Sequence, residues 1–135
     1  IKFTSTDLYK LALLRRARPK HVYFFGFDEI FLSGAVLGAD GGIGTTYNLL
    51  GRLYMALHSA IAGGDLALAT QLQEVSVEFV EGLLQVGVLP GMKAAFSAIG
   101  INCGPSRAPL APQVPDYAER MAALVKRPSI AAWLS

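Results

Sequence analysis

The six residues His21-Val-Tyr-Phe-Phe-Gly26 constrain the fold of this chain more than any other stretch. They form a short, nearly unbroken apolar and aromatic run. A strand with one wet face alternates apolar and polar side chains, whereas a run without polar positions predicts a strand covered on both faces, as in a parallel sheet. Parallel strands need long crossovers, usually helical, and the flanks supply them. Upstream, Leu8, Leu11, Ala12 and Leu14 make a helical stripe closed by a basic cluster and Pro19. Downstream, Asp28 and Glu29 lead into Ile30, Phe31, Ala35, Val36 and Leu37, a second helix ending at Gly38.

Two further strands frame this one. Ile1-Lys2-Phe3 reads as the tail of a strand, and Thr4-Ser5-Thr6-Asp7 as a turn and helix cap. Ala39-Asp-Gly-Gly-Ile-Gly44 is a short strand with glycines where another backbone must come close. Thr45-Thr46-Tyr47-Asn48 then starts a helix over about 48–62 that stops at Gly63-Gly64. Strand end, helix, strand, helix, strand, helix, with short connections, predicts right-handed crossovers and a parallel sheet. After about residue 48 no strand pattern occurs. Asp65 is expected to cap a long helix whose apolar positions Leu68, Leu72, Val75, Phe79, Leu83 and Val86 step by threes and fours. Leu89-Pro90-Gly91 is expected to break it, with a shorter helix over about 92–99. Residues 104–112 read as a proline-stiffened loop, and Asp116 as the cap of a last helix to about Lys126. The division is residues 1–63 as an α/β unit and 64–135 as a helical extension.

With 53% hydrophobic and 16% charged residues, the 135-residue chain can form a real core. Its mean hydropathy of +0.41 raises the question of a membrane. Every apolar run is broken by Gly, Asp, Arg or Pro short of the roughly 18–20 residues a span requires. A net charge of +2 is too near zero to imply nucleic acid or an anionic membrane surface. Arg15, Arg16, Arg18 and Lys20 read as the solvated last turn of a helix, where cations complement the dipole. Cys103 stands alone, so no disulfide framework exists, the cytoplasm is the expected compartment, and the thiol is expected to be a small buried hydrophobe. Met55, Met92 and Met121 read as core filler. Neither His21 nor His58 lies near a second ligand type at metal spacing, so neither a metal nor a cofactor is expected.

In parallel α/β folds functional groups gather at the carboxyl ends of the strands. The first end offers Lys2, Thr4 and Ser5, the second Gly26, Asp28 and Glu29, and the third Gly42, Gly44, Thr45 and Thr46. If the strands are neighbours, one amine, two carboxylates, several hydroxyls and backbone amides converge on one rim. That set suits a polyhydroxylated substrate with a carbonyl. Each group also has a plainer reading. Strand ends near solvent often carry Lys, and acids such as Asp28 and Glu29 favour a helix start. Gly41-Gly42-Ile43-Gly44 resembles a phosphate-cradling loop, but no P-loop lysine follows it.

The segments Ile1-Lys-Phe-Thr-Ser-Thr-Asp-Leu8, Phe25-Gly-Phe-Asp-Glu-Ile30 and Gly38-Ala-Asp-Gly-Gly-Ile-Gly-Thr-Thr-Tyr-Asn48 resemble the N-acetylneuraminate lyases of the dihydrodipicolinate synthase superfamily of class I aldolases. Gly91-Met-Lys-Ala-Ala95 and Gly104-Pro-Ser-Arg-Ala-Pro-Leu110 are similar to that superfamily's helical tail, and the Gly-aromatic-Asp-Glu element is the lyase-like discriminator. The resemblance implies an α/β fold, the carboxyl-terminal portion of a (β/α)8 TIM barrel. This portion comprises the end of strand 6 through helix 8 (about the last three strands) plus a C-terminal helical extension. It implies that Lys2 is the Schiff-base nucleophile and that Thr4, Gly26, Asp28, Glu29 and Thr45 hold the sugar hydroxyls. Thr45 stands where some members carry serine, which keeps the hydroxyl; Thr6 replaces a small residue common there. An ordinary lysine has a pKa of about 10.4, so attack on a C2 ketone requires a site that favours the free amine.

Two elements of the superfamily have no counterpart in the chain: the Gly-Thr-Thr/Ser-Gly-Glu type loop for the substrate carboxylate, and the proton-relay tyrosine, whose motif neither Tyr23 nor Tyr47 matches. The expectation is therefore the carboxyl-terminal piece of a longer sialic-acid aldolase, inactive and prone to aggregate by itself because open sheet edges remain. The parent is expected to be a homotetramer acting on sialic acid and pyruvate, with no nucleic-acid or membrane partner. A 2-keto-3-deoxy sugar acid aldolase, a dihydrodipicolinate synthase-like enzyme, and a non-catalytic assembly element built on the helix after Asp65 are the alternatives.

Overall fold

Three parallel strands lie side by side in chain order in the computed structural model, which describes residues 1–134: β1 (Lys2–Phe3), β2 (Phe24–Phe25) and β3 (Gly41–Gly42). Lys2 pairs with Phe24 and Phe3 with Phe25; Phe24 pairs with Gly41 and Phe25 with Gly42. Helix α1 (Leu8–Ala17) joins β1 to β2, and α2 (Phe31–Val36), entered through a 3-10 turn at Asp28–Ile30, joins β2 to β3. Local chemistry sets these boundaries. Asp7 Oδ1 accepts the Lys10 N–H at 2.9 Å and closes the start of α1. Gly38, at φ +90°, turns the chain after α2 back to the sheet. The basic cluster is mostly exposed, but Arg15 donates from Nη1 to the Leu37 carbonyl at 2.7 Å and so ties α1 to the end of α2.

The central strand departs from its expected two-sided burial. Tyr23 and Phe25 are buried, whereas Val22 is 52% and Phe24 36% exposed. The helices cover one face of the sheet: Phe25 packs where Gly34 of α2 leaves room, and Tyr23 donates its hydroxyl to the Leu14 carbonyl of α1 at 2.9 Å. The run is apolar on both sides, but among the described residues only one side is packed.

Helix α3 (Tyr47–Ala62) follows β3 and bends at Leu50, where φ is −114° and ψ 32°. Helix α4 (Leu66–Val86) is capped as expected, with the Leu68 N–H donated to Asp65 Oδ1 at 3.0 Å. It crosses α3, α2 and the 3-10 turn, so the helical stretch roofs the α/β stretch. The break after it falls at Gly87, φ +93°, rather than at Leu89-Pro90-Gly91. Those residues lie in the first turn of α5 (Val88–Ala98), where proline lacks no needed donor. Helix α6 (Tyr117–Val125) starts where expected, but Asp116 does not cap it; its carboxylate accepts from Arg120 Nε at 2.8 Å instead. A short α7 (Pro128–Ala131), unanticipated, is pinned to α4 by Arg127 and Ser129, both donating to Glu78 at 2.8 Å. The expected end of the extension, residue 135, lies outside the described residues.

One hydrophobic cluster runs from Phe3 and Phe25 through Phe31, Leu53, Leu57 and Phe79 to Met121 and Ile130. Met92 and Met121 fill it; Met55, 71% exposed on the outer side of α3, does not. Cys103 is likewise exposed rather than buried, in a loop whose carbonyls at 103 and 105 accept from the Lys93 amine. No single helix among the described residues is long and apolar enough to cross a membrane.

Candidate functional site

The carboxyl ends of β1, β2 and β3 open into one cavity of about 250 Å³, lined by Lys2, Gly26, Asp28, Glu29 and Thr45. The parallel register accounts for this: Lys2 pairs with Phe24, so the amine stands beside the strand whose end carries Gly26 and the acidic pair. Thr4 does not line the cavity. Its hydroxyl fills the space above Gly26, where a Cβ would overlap Thr4 Oγ1 and come within 2.9 Å of Lys2 Cε. Gly26 is thus required for packing between these two side chains. Val80, Leu83 and Leu84 of α4, with Val88 of α5, form the opposite wall, so the helical stretch closes the rim from above.

Asp28 is the deepest of these groups, 6% exposed. Its Oδ2 accepts both the Thr46 N–H at 2.9 Å and the Thr46 hydroxyl at 2.6 Å. Thr46 Oγ1 lies 2.6 Å from the Tyr54 hydroxyl, which lies 2.7 Å from Ser76 Oγ. Ser76 Oγ and Gln73 Nε2 donate to the Asp28 backbone carbonyl, each at 3.0 Å, and Gln73 Oε1 accepts the Leu32 N–H at 2.8 Å. Thr46 precedes α3 yet makes no side-chain cap, because its hydroxyl is turned to Asp28. Asp28 Oδ1 has no partner and lies against Gly44, where any Cβ would collide with the carboxyl group. Burial pushes the Asp28 carboxyl above the usual carboxylate range; the two Thr46 hydrogen bonds and the Lys2 charge oppose this without cancelling it. Burial likewise raises the Tyr54 phenol, so that it remains a neutral hydroxyl.

Sequence reasoning selected the rim and missed its support. Gly44 and Thr46 stood among the strand-end residues without a distinct role, and Tyr54, Gln73 and Ser76 had none. A signal existed for the last two. They fall on the buried stripe of α4 beside Leu72, Phe79 and Val80, and a polar side chain there requires a partner. Tyr23 and Tyr47 are absent from the cavity, Tyr47 packing instead on Tyr54 with ring centres 3.8 Å apart and the rings tilted by 40°. A larger groove of about 560 Å³ between α5 and α6 is lined by one charged group, Lys93, whose amine is already bound by the loop carbonyls. Among the described residues no three His, Cys, Asp or Glu side chains come together to hold a metal ion.

Residues 1–128 match the model of the dihydrodipicolinate synthetase family. The chain belongs to that family. It is 42% identical over 109 residues to an N-acetylneuraminate lyase of Rhizobium meliloti, covering 81% of this chain and 36% of that protein. It is 41% identical over 128 residues to the N-acetylneuraminate lyase of an Enterobacter species, covering 94% and 43%. Among solved structures it superposes on the Fusobacterium nucleatum N-acetylneuraminate lyase complexed with pyruvate with a TM-score of 0.86 at 32% identity, covering 93% of this chain and 42% of that one. The Clostridium difficile protein in complex with mannosamine also superposes with a TM-score of 0.86, at 26% identity and 98% and 44% coverage. The chain therefore spans less than half the length of these family members.

Proposed function

We propose that this chain carries the amine nucleophile and the sugar-binding rim of a Schiff-base lyase that cleaves N-acetylneuraminate to pyruvate and N-acetylmannosamine. The observation that carries the reading is the convergence of Lys2, Gly26, Asp28, Glu29 and Thr45 on one cavity at the strand ends. In this reading residues 1–63 are the end of a (β/α)8 barrel, from the last stretch of its sixth strand, and residues 64–135 its helical extension. Lys2 Nζ attacks the C2 ketone of the open-chain sugar acid, and loss of water leaves an iminium. The C3–C4 bond then breaks, its electron pair passing into the iminium to give an enamine while the C4 hydroxyl loses its proton and becomes the aldehyde of N-acetylmannosamine. Protonation of the enamine at C3 and hydrolysis release pyruvate and restore the amine. Asp28 and Glu29 suit vicinal hydroxyls, because each carboxylate oxygen accepts more than one hydrogen bond. Thr4 acts one step back, its hydroxyl packed over the Gly26 backbone.

Most of the relatives' length has no counterpart in the chain, so the activity is proposed for the complete barrel and the 135 residues alone are expected to give no turnover. The test joins the chain behind that missing portion of the Enterobacter lyase. Incubation with pyruvate and borohydride should leave a reduced adduct on the Lys2 peptide by mass spectrometry, and Lys2→Arg should abolish both adduct and sialic-acid cleavage. An adduct on another lysine, or cleavage that survives Lys2→Arg, would overturn the assignment. Turnover of sialic acid by the isolated chain would overturn the requirement for the remainder.

A further inference from the structure

The hydroxyls behind Asp28 form a closed circuit with a countable supply of hydrogens. Four oxygen–oxygen contacts link Asp28 Oδ2 to Thr46 at 2.6 Å, Thr46 to Tyr54 at 2.6 Å, Tyr54 to Ser76 at 2.7 Å, and Ser76 to the Asp28 carbonyl at 3.0 Å. The two ends are different. A carbonyl can only accept, and an ionised carboxylate can only accept. Between them stand three hydroxyls with one hydrogen each. If Thr46 donates to Asp28 and Ser76 to the carbonyl, the single Tyr54 hydrogen must serve both neighbours. Turning the hydroxyls moves the deficit to another contact and never removes it.

We propose that the Asp28 carboxyl supplies the fourth hydrogen, so that Tyr54 and Ser76 are positioning residues that hold Asp28 in its neutral form with one oxygen free. The hydrogens then run in one sense: Asp28 Oδ2 to Thr46, Thr46 to Tyr54, Tyr54 to Ser76, and Ser76 to the Asp28 carbonyl. Oδ2 keeps a lone pair for the Thr46 N–H at 2.9 Å. Oδ1, buried and without a partner, becomes the carbonyl oxygen of the acid. Sealed against Gly44, it is a neutral acceptor, which loses less by lacking a partner than a charged oxygen would. When Asp28 ionises, the hydroxyls reverse to run from Ser76 through Tyr54 and Thr46 to Oδ2, and the Ser76–carbonyl contact loses its hydrogen. Burial of Asp28 favours the same neutral form. The groups around it are Lys2 from β1, its neighbour Glu29, Tyr47 and Tyr54 from α3, and the neutral Gln73 and Ser76 from α4. A neutral Asp28 also leaves one fewer negative charge in the cavity that Lys2 lines. The hydrogen count does not depend on the lyase reading above.

The sign of one shift tests this. In Tyr54→Phe two contacts remain with two hydroxyl hydrogens, Thr46 to Oδ2 and Ser76 to the carbonyl, so the ionised carboxylate is satisfied. Ser76→Ala likewise leaves two contacts and two hydrogens, running from Tyr54 through Thr46 to Oδ2. Both substitutions should therefore lower the Asp28 titration midpoint, by about one pH unit, the scale of one hydrogen bond gained or lost. If the hydroxyls merely solvate the carboxylate, removing one leaves it drier and raises the midpoint. The measurement is carbon-detected NMR of the aspartate-labelled 135-residue chain, with Asp28 assigned by loss of its signal in Asp28→Asn. Far-UV circular dichroism checks that each variant keeps its helices. If Tyr54→Phe loses them, Ser76→Ala, the smaller change, decides. A midpoint that falls supports the proposal; one that rises or stays overturns it. The titration does not depend on turnover, so failure here and failure of the Lys2 trapping experiment are separate results.

Discussion

Replacing Gly44 with alanine adds one methyl group, and the structure fixes where it goes. The added Cβ falls on the Asp28 carboxyl group. Gly44 is not among the positive-φ glycines, so the backbone itself accepts an L residue and the cost lies in the contact. The carboxyl must turn aside, giving up the Thr46 N–H and hydroxyl bonds at 2.9 and 2.6 Å. At about 1 kcal/mol for each bond, and about 1–3 kcal/mol for a buried polar group left unsatisfied, Gly44→Ala should cost about 3–5 kcal/mol. The same substitution at Gly51 is the control. Nothing lies within 4 Å of a Cβ there, inside α3, so Gly51→Ala should stabilise by about 0.5–1 kcal/mol through helix propensity and a stiffer unfolded chain. Urea unfolding followed by far-UV circular dichroism measures all three chains, compared at a common slope. A chain of this size loses roughly 3–4 °C of melting temperature per kcal/mol, so the Gly44 variant should melt about 9–20 °C lower. A Gly44→Ala stability within about 0.5 kcal/mol of the parent would show that Asp28 is not held as described.

Two further outcomes follow from packing and charge. Phe79→Ala removes a fully buried ring at the centre of α4 and should cost about 3–5 kcal/mol in the same urea assay; a loss under about 1 kcal/mol would mean that α4 does not roof the α/β stretch. Arg127 and Ser129 hold the Glu78 carboxylate below its ordinary range. A lowered folded-state pKa gives stability that is present above the unfolded value and lost as pH falls through the folded one. The pair is partly exposed, so Glu78→Gln should cost no more than about 1 kcal/mol at neutral pH. The difference from the parent should begin to shrink as pH falls below about 4 and vanish once the folded-state carboxylate is protonated, and a difference that grows on acidification would refute the link.

Much of the fold could be read from local chemistry. Asp7 and Asp65 cap the helices they precede because a carboxylate one step outside a helix meets free N–H groups whatever the rest of the chain does. Gly38 ends its helical turn through its own positive φ. Where a side chain had a competing partner, the reading failed. Asp116 is drawn to Arg120 and Thr46 to Asp28, so neither caps, although both occupy capping positions. Pro90 looked like a helix break and sits in a first turn, because Gly87 three residues earlier had already turned the chain.

The sequence by itself determined the parallel alternation, and with it the set of groups at the strand ends: Lys2, Thr4 and Ser5 at the first, Gly26, Asp28 and Glu29 at the second, and Gly42, Gly44, Thr45 and Thr46 at the third. Period, cap and strand end are short-range properties, carried by neighbours in the chain. Tertiary structure alone decided which of those groups share a cavity, that Thr4 lies outside it, and that Asp28 has one oxygen bound and one free. Tyr54 and Ser76 stand 26 and 48 positions beyond Asp28, and their hydroxyls reach its surroundings only because α4 packs across α3. A hydrogen bond depends on tenths of an ångström, and over such separations in sequence only the packed core sets distances that finely.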